Sequence, residues 1–298
     1  MSVGFIGLGT MGLPIARNMA LAGTPLVVWN RSEPARDDLR AVGARVAGTP
    51  AEVFHEASTV FLMLADGEIT DSVLQRGTPR FADLVRGRIV VHMGTTPAGY
   101  SHELAVDTAR DGGRYVESPV SGSRVPAEAG ELVGMVAGPE DAVDAVVPLL
   151  APVCSSVVRC GEVPRATQMK LAVNLFLITQ VAGLVEAFHF ARGSGLDLEL
   201  FRSVVDAGPM ASAVSRIKLG KLVDGDFGVQ ASISDVFYNN RLIADAARDA
   251  HLPTPLLDAC GGLFREAEAL GHGREDMAAV LRAFEARGGT DPLGRSAR

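Results

Sequence analysis

The stretch VGFIGLGTMGLPIARNMAL, residues 3–21, decides the fold. Val3 to Ile6 is a short apolar run that reads as a buried strand. It passes directly into Gly7-Leu8-Gly9-Thr10-Met11-Gly12 and then into a helical apolar pattern that reaches Leu21. Strand, glycine-rich turn and helix in this order form the context in which G-x-G-x-x-G binds a dinucleotide. Gly7 permits the tight turn, Gly9 lets the backbone approach a pyrophosphate, and Gly12 lets the helix pack closely on the strand. The phosphates are expected at the helix N-terminus, where unpaired N–H groups and the helix dipole favour anions.

Working outward, a second strand over Leu26 to Trp29 ends in Asn30-Arg31-Ser32, the place where a dinucleotide fold reads the ribose. An acidic residue there would accept hydrogen bonds from a free 2′-hydroxyl and repel a 2′-phosphate. An amide, a guanidinium and a hydroxyl suit the phosphate instead, so the expected cofactor is NADP(H). Strand and helix patterns go on alternating, with a helix over Ala51 to Ala57 and strands over Thr59 to Leu64 and Arg88 to His92. A helix over Ala98 to Asp111 follows, then strands over Tyr115 to Ser118 and Val133 to Ala137, with Pro119 to Ser123 as a loop between them. Such alternation builds a parallel, doubly wound α/β sheet. Leu64 ends its strand, and Ala65-Asp66-Gly67 and Gly94-Thr95-Thr96-Pro97 follow theirs; they are expected at the carboxyl edge, where ligands bind.

From Val163 onward the strand signal disappears. A long apolar helix is expected over Val163 to Arg192, carrying Lys170 and Asn174 one turn apart and so on one face. Its apolar residues leave no wide polar face, which predicts burial on nearly every side by the remaining helices and a second subunit. Asn174, Gln180, Glu186 and His189 interrupt the run and argue against a membrane span. The reading is a Rossmann-type domain over 1–161, an all-helical domain over 162–290 joined to it by the long helix, and a frayed tail over 291–298.

The 298 residues suffice for two domains, and 47% hydrophobic content describes a globular chain. A formal net charge of −7 argues against nucleic acid as a partner, since phosphate binding needs a basic field. Cys154, Cys160 and Cys260 are too few and too irregular for a zinc site or a disulfide framework, and no secretory signal opens the chain. Reduced thiols in a cytoplasm are expected. The histidines and cysteines show no metal-binding spacing, and His92 and His189 are expected in the core or lining a pocket. Glu186 is expected to be buried and paired, or to face a partner subunit.

The glycine turn, the loop Glu117-Ser118-Pro119-Val120-Ser121-Gly122-Ser123, and Lys170 with Asn174 occur in the order and spacing of a known family. Over nearly its whole length the chain resembles the β-hydroxyacid dehydrogenases of the 6-phosphogluconate dehydrogenase superfamily, such as 3-hydroxyisobutyrate dehydrogenase and the glyoxylate/succinic semialdehyde reductases. The resemblance implies that Lys170 is the catalytic acid/base and that Asn174 orients the reacting groups. It implies that Ser121, Gly122 and Ser123 grip a substrate carboxylate, and that Thr95 lies against nicotinamide and substrate. Gly7 to Gly12, Asn30 to Ser32, Leu64, Ala65 and Asp235 are then the cofactor contacts, in a homodimer or homotetramer.

The implied reaction reduces the carbonyl of a small or medium aldehyde or keto acid, or runs in reverse, with hydride from nicotinamide C4 and a proton from Lys170. A lysine protonated at neutral pH serves reduction without tuning, whereas oxidation requires a lowered pKa. NADPH-dependent reduction is therefore expected. Imine reductases share this architecture without the lysine, and a non-catalytic NADP-binding relative is a further alternative. Four positions depart from the family pattern: Gly94 for a serine, Ser123 for a glycine, Ala231 for a phenylalanine and Ser234 for a lysine. The last two suggest a wider, less cationic pocket, with Arg124 as a substitute anion contact.

Overall fold

The computed structural model describes residues 2–288, and the tail expected over 291–298 lies outside them. The chain divides into two compact units, Met1–Lys170 and Leu171–Arg298.

The first unit opens with β1 (Ser2–Ile6), α1 (Gly12–Leu21), β2 (Leu26–Trp29), α2 (Pro34–Ala41), β3 (Arg45–Val46), α3 (Pro50–Glu56) and β4 (Ala57–Leu62). It continues through α4 (Gly67–Leu74), α5 (Arg80–Val85), β5 (Ile89–His92), α6 (Ala98–Arg110) and β6 (Arg114–Glu117). It ends with β7 (Val120–Ser121), α7 (Arg124–Ala129), β8 (Leu132–Ala137), α8 (Glu140–Leu150) and β9 (Cys154–Gly161). All nine strands form one sheet of order β3-β2-β1-β4-β5-β6-β8-β7, with β9 also paired to β8.

β1 to β6 pair in parallel, in a register that sets Phe5 beside Val28 on one side and Phe61 on the other. The strand order reverses between β1 and β4, so the crevice of a doubly wound sheet opens at their carboxyl ends. Because helices cover both faces, the central strands are apolar throughout rather than alternating. Phe5, Phe61, Ile15 and Met19 pack in one apolar layer, and Ile6, Leu62, Phe54 and Leu74 in another.

Two strands differ from the sequence-based expectation. β7 falls where a loop is expected, because two residues, paired Val120 to Gly134 and Ser121 to Val133, are too few to show any alternation. β9 is an edge strand whose exposed Ser155, Ser156 and Arg159 conceal its pairing with β8.

The second unit is helical. α9 (Arg165–Gly193) continues into it, followed by α10 (Leu198–Ala207), α11 (Ala213–Asp224), α12 (Ile233–Asp249), α13 (Pro255–Ala267) and α14 (Leu281–Gly288). Leu171, Ile178, Val181, Val185 and Phe188, at helical spacing, bury one stripe of α9 against Leu219, Ile233, Phe264 and Leu281.

The expectation of burial on nearly every side does not hold within one chain. Phe176 and Phe190 are 66% and 72% exposed, because the helices of the second unit cover a single stripe. Glu186 is likewise exposed rather than buried. α9 has the length and hydropathy to cross a membrane, yet its buried stripe belongs to this helical core. The two compact units meet within α9, between Lys170 and Leu171. Its first turn is bonded to β6 through Glu117, and Ala166 packs on Met135 and Ala137 of β8.

Candidate active site

The glycine turn has the geometry its sequence demands. Gly7 has φ +97°, and a Cβ there would lie 2.2 Å from the Met63 carbonyl oxygen; at Gly12 it would lie 1.9 Å from that of Gly7. At Gly9 a Cβ would meet nothing within 4 Å, so the backbone faces open space. No side chain caps α1 and its first turn holds no acidic residue, so its positive end suits an anion; Leu13 N already donates to the Gly9 carbonyl at 3.0 Å and Pro14 has no N–H, which leaves the turn before them to meet a ligand. Gly9 and Thr10 are exposed and Met11 is half-buried, while Leu8 is buried and anchors the turn. This cradle fits a pyrophosphate.

Asn30 is spent within the protein. Its Oδ1 accepts from Leu8 N at 3.0 Å, and its Nδ2 donates to Ser32 Oγ at 2.8 Å. It thus ties the glycine turn to the end of β2 and positions Ser32. Arg31 beside it is exposed and has no hydrogen bond or ion pair among the described residues, so its guanidinium is available to an anion. Arg36, in the first turn of α2, is a cation that the sequence reading passed over; its side chain is largely covered, it pairs loosely with Glu33 at 3.7 Å, and its Nε has no partner among the described residues.

At the next strand ends, Leu64 is half-buried and Ala65 exposed, while Asp66 caps α4 by accepting from Ile69 N at 2.8 Å. Thr95 is half-buried, and Thr96 is fully buried with an unpartnered Oγ1. Gly94 is explained by packing. A Cβ there would come within 2.7 Å of the Leu64 carbonyl and 3.1 Å of His92 Nε2. His92 is buried as expected, against the rings of Tyr100 and Tyr115. Burial pulls its pKa down to about 4, so it is neutral at physiological pH.

The loop after β6 presents Ser121, half-buried on β7, then Gly122 at φ +130°, then Ser123 just before α7. Neither serine hydroxyl bonds another group among the described residues, and Ser123 has φ −104°, so no glycine is required there. Arg124 does not supply the anion contact suggested by the sequence. Its Nε donates to Glu128 at 2.7 Å on the exposed side of α7.

Lys170 closes the first unit, on the second turn of α9. It is half-buried, has no ion-pair partner among the described residues, and burial brings its pKa down to about 8. Desolvation disfavours the ammonium without a compensating carboxylate, the combination expected of a proton-transferring lysine.

In the second unit, Asn174 is buried and donates from Nδ2 to Asn239 Oδ1 at 3.2 Å. Asn239 in turn donates to the Asp235 backbone carbonyl at 2.7 Å. Asn239 orients Asn174 although 65 residues separate them, so no spacing could have revealed it. Asp235 is exposed, and its carboxylate accepts from Ser232 at the start of α12. Ser234 turns its hydroxyl to Glu268 at 2.6 Å.

The backbone around Ala231 is held by Asp276, which is fully buried. It accepts from Lys218 Nζ at 2.7 and 2.9 Å, from Gln230 N at 3.0 Å and from Ala231 N at 3.3 Å. Desolvation lowers the Lys218 pKa against the pull of Asp276.

A G-x-G-x-x-G cradle at the switch point of a doubly wound sheet, followed by a helical unit, is the arrangement found in dehydrogenases that use a nicotinamide dinucleotide. Residues 2–161 match the NAD-binding domain of 6-phosphogluconate dehydrogenase, and residues 165–284 match the corresponding domain of NADP-dependent 3-hydroxyisobutyrate dehydrogenase. The chain belongs to the β-hydroxyacid dehydrogenase family.

It is 29% identical over 285 residues to glyoxylate/succinic semialdehyde reductase 2, chloroplastic, of Arabidopsis thaliana, covering 96% of this chain and 80% of that one. The solved 3-hydroxyisobutyrate dehydrogenase of Salmonella typhimurium superposes with a TM-score of 0.87 at 27% identity, over 95% of this chain and 99% of that one. Psf3 in complex with NADP+ and 2-OPP gives 0.85 at 28% identity, over 95% and 99%. The first is named a reductase and the second a dehydrogenase, and the third was solved with NADP+ bound.

Proposed function

We propose that the protein is an NADPH-dependent reductase of a small or medium aldehyde or keto acid, with Lys170 as the proton donor to the carbonyl oxygen. The observation that carries the reading is the half-buried, unpaired Lys170 with a pKa brought down to about 8. When bound, NADPH supplies the hydride from C4 of its nicotinamide. Arg31 and Ser32 hold the 2′-phosphate, and the turn before α1, with Gly9, holds the pyrophosphate. Leu64, Ala65 and Thr95 line the nicotinamide side, with Asp235 as a further cofactor contact. Ser121 and Ser123 donate hydroxyls to the substrate carboxylate, with the Gly122 backbone between them. Asn174, fixed by Asn239, orients the reacting oxygen.

The lowered pKa changes the argument about direction. Lys170 is mostly protonated just below pH 8 and mostly neutral just above it. It therefore serves as acid for reduction at neutral pH and as base for oxidation in mild alkali. Preference for reduction then rests on the phosphate-friendly Arg31 and not on an untuned lysine.

Ala231 and Ser234 leave room for a substrate bulkier than the compact semialdehydes, since neither places a ring or a cation there. The exposed Phe176 and Phe190 on α9, with Leu200 and Val204 one turn apart on α10, suit a second copy of the chain. The free Cys154, Cys160 and Cys260 suit the reducing cytoplasm.

An NADPH-oxidation screen across aldehydes, keto acids and cyclic imines tests the reading. Turnover of a carbonyl that Lys170→Ala abolishes is expected. Preference for a cyclic imine with Lys170→Ala still active, or NADPH binding without turnover of any substrate, would contradict it.

A further inference from the structure

One buried ionisable group has no part in this chemistry. Glu117, the last residue of β6, is fully buried. Its Oε1 accepts from Ser101 Oγ at 2.5 Å and Thr167 Oγ1 at 2.6 Å, and its Oε2 accepts from Ala166 N at 3.0 Å and Thr167 N at 3.2 Å. Ser101 is itself bonded to the Tyr115 hydroxyl at 2.9 Å.

Burying a carboxylate is costly unless hydrogen bonds replace its water, and here four donors do so. Well-packed apolar residues would fill such a space at similar or lower cost in stability. What the carboxylate adds is direction. Two of its donors are leading N–H groups of α9, whose positive end favours an anion. Lys170 lies one turn further on, and helical side chains lean back over the preceding turn. Glu117 also immediately precedes the loop that carries Ser121 to Ser123. A single buried side chain thus joins the strand end bearing the substrate loop to the helix start bearing the proton donor, all within the first unit.

We propose that Glu117 is a positioning residue that fixes the Lys170 amine relative to the substrate loop by clamping the first turn of α9 to the end of β6. This rests on the reading of Lys170 as proton donor.

The test compares Glu117→Gln and Glu117→Ala with Lys170→Ala in the full chain, using the best carbonyl substrate from the screen. A misplaced catalytic group costs up to about 100-fold, so kcat falls about 10-fold in Glu117→Gln and up to about 100-fold in Glu117→Ala. KM and NADPH affinity stay near wild type. Wild-type kcat in both Glu117 variants, with Lys170→Ala inactive, overturns the proposal. If Lys170→Ala is active, the proton-donor reading fails by itself.

Hydrogen exchange of the peptide covering the first turns of α9 decides the clamp without turnover. Faster exchange there in Glu117→Gln is expected, and unchanged exchange overturns the proposal. Should both Glu117 variants lose NADPH binding, Ser101→Ala and Thr167→Val each remove one donor. A lower kcat at unchanged NADPH affinity then supports the clamp, and an unchanged kcat overturns it.

Discussion

The glycine turn of the first unit and the Gln230–Ala231 backbone of the second solve one problem by opposite means. Each is a stretch of backbone that must keep one shape. The turn does so by leaving atoms out: Gly7 and Gly12 hold the chain where any Cβ would collide with a carbonyl. The helical unit does so by adding a buried ion pair, with Asp276 gripping Lys218 together with the N–H groups of Gln230 and Ala231. Missing atoms leave a motif in the sequence. A charge pair 58 residues apart leaves none.

Breaking the ion pair is expected to give the largest effect. Asp276→Ala strands the buried Lys218 and the N–H groups of Gln230, Ala231 and Ala278, and should cost about 3–5 kcal/mol by thermal or urea unfolding. A loss below about 1 kcal/mol would mean that packing alone holds this segment. Gly12→Ala comes next. Its Cβ must displace the Gly7 carbonyl, at about 1–3 kcal/mol, and NADPH titration should show affinity reduced more than about tenfold.

Arg31→Ala should raise the KM for NADPH about 10- to 100-fold and leave NADH almost unchanged, as expected from loss of one charge-assisted bond of about 1.5–3 kcal/mol. Equal loss with both cofactors would remove the 2′-phosphate from the account. Arg124→Ala is expected to be nearly silent. Its exposed pair with Glu128 is worth about 0.3–0.5 kcal/mol, so kcat/KM should change less than about twofold.

The same contrast explains what could be read beforehand. The strand, turn and helix over residues 3–21 are local and constrained by backbone sterics, so their boundaries emerge from the sequence almost unchanged. Lys170 was legible because a lone cation in an apolar run demands an explanation. What it lacked was a pKa, since desolvation depends on how the chain packs around the amine. Asn239 stayed hidden, and Glu117 was visible only as the start of the loop motif, because polar residues of their kind are usually on the surface and only the fold brings them to Asn174 and to the start of α9. Gly94 was legible as a departure but not as a necessity, which needed the position of His92. One chain covers only a stripe of the long helix, because an apolar face does not say which molecule covers it.

The most direct test of Lys170 as the proton-transferring group is the pH dependence of kcat/KM, which reports the free enzyme's acid and base, measured in both directions on one substrate pair. Reduction requires the ammonium, so its rate should be level below about pH 8 and then fall about tenfold per pH unit, while oxidation rises to a plateau through the same midpoint. A shared inflection near pH 8 in both directions, with Lys170→Ala inactive in both, is the predicted result. Rates that pass through pH 8 without an inflection, or an inflection that persists in Lys170→Ala, would contradict the account.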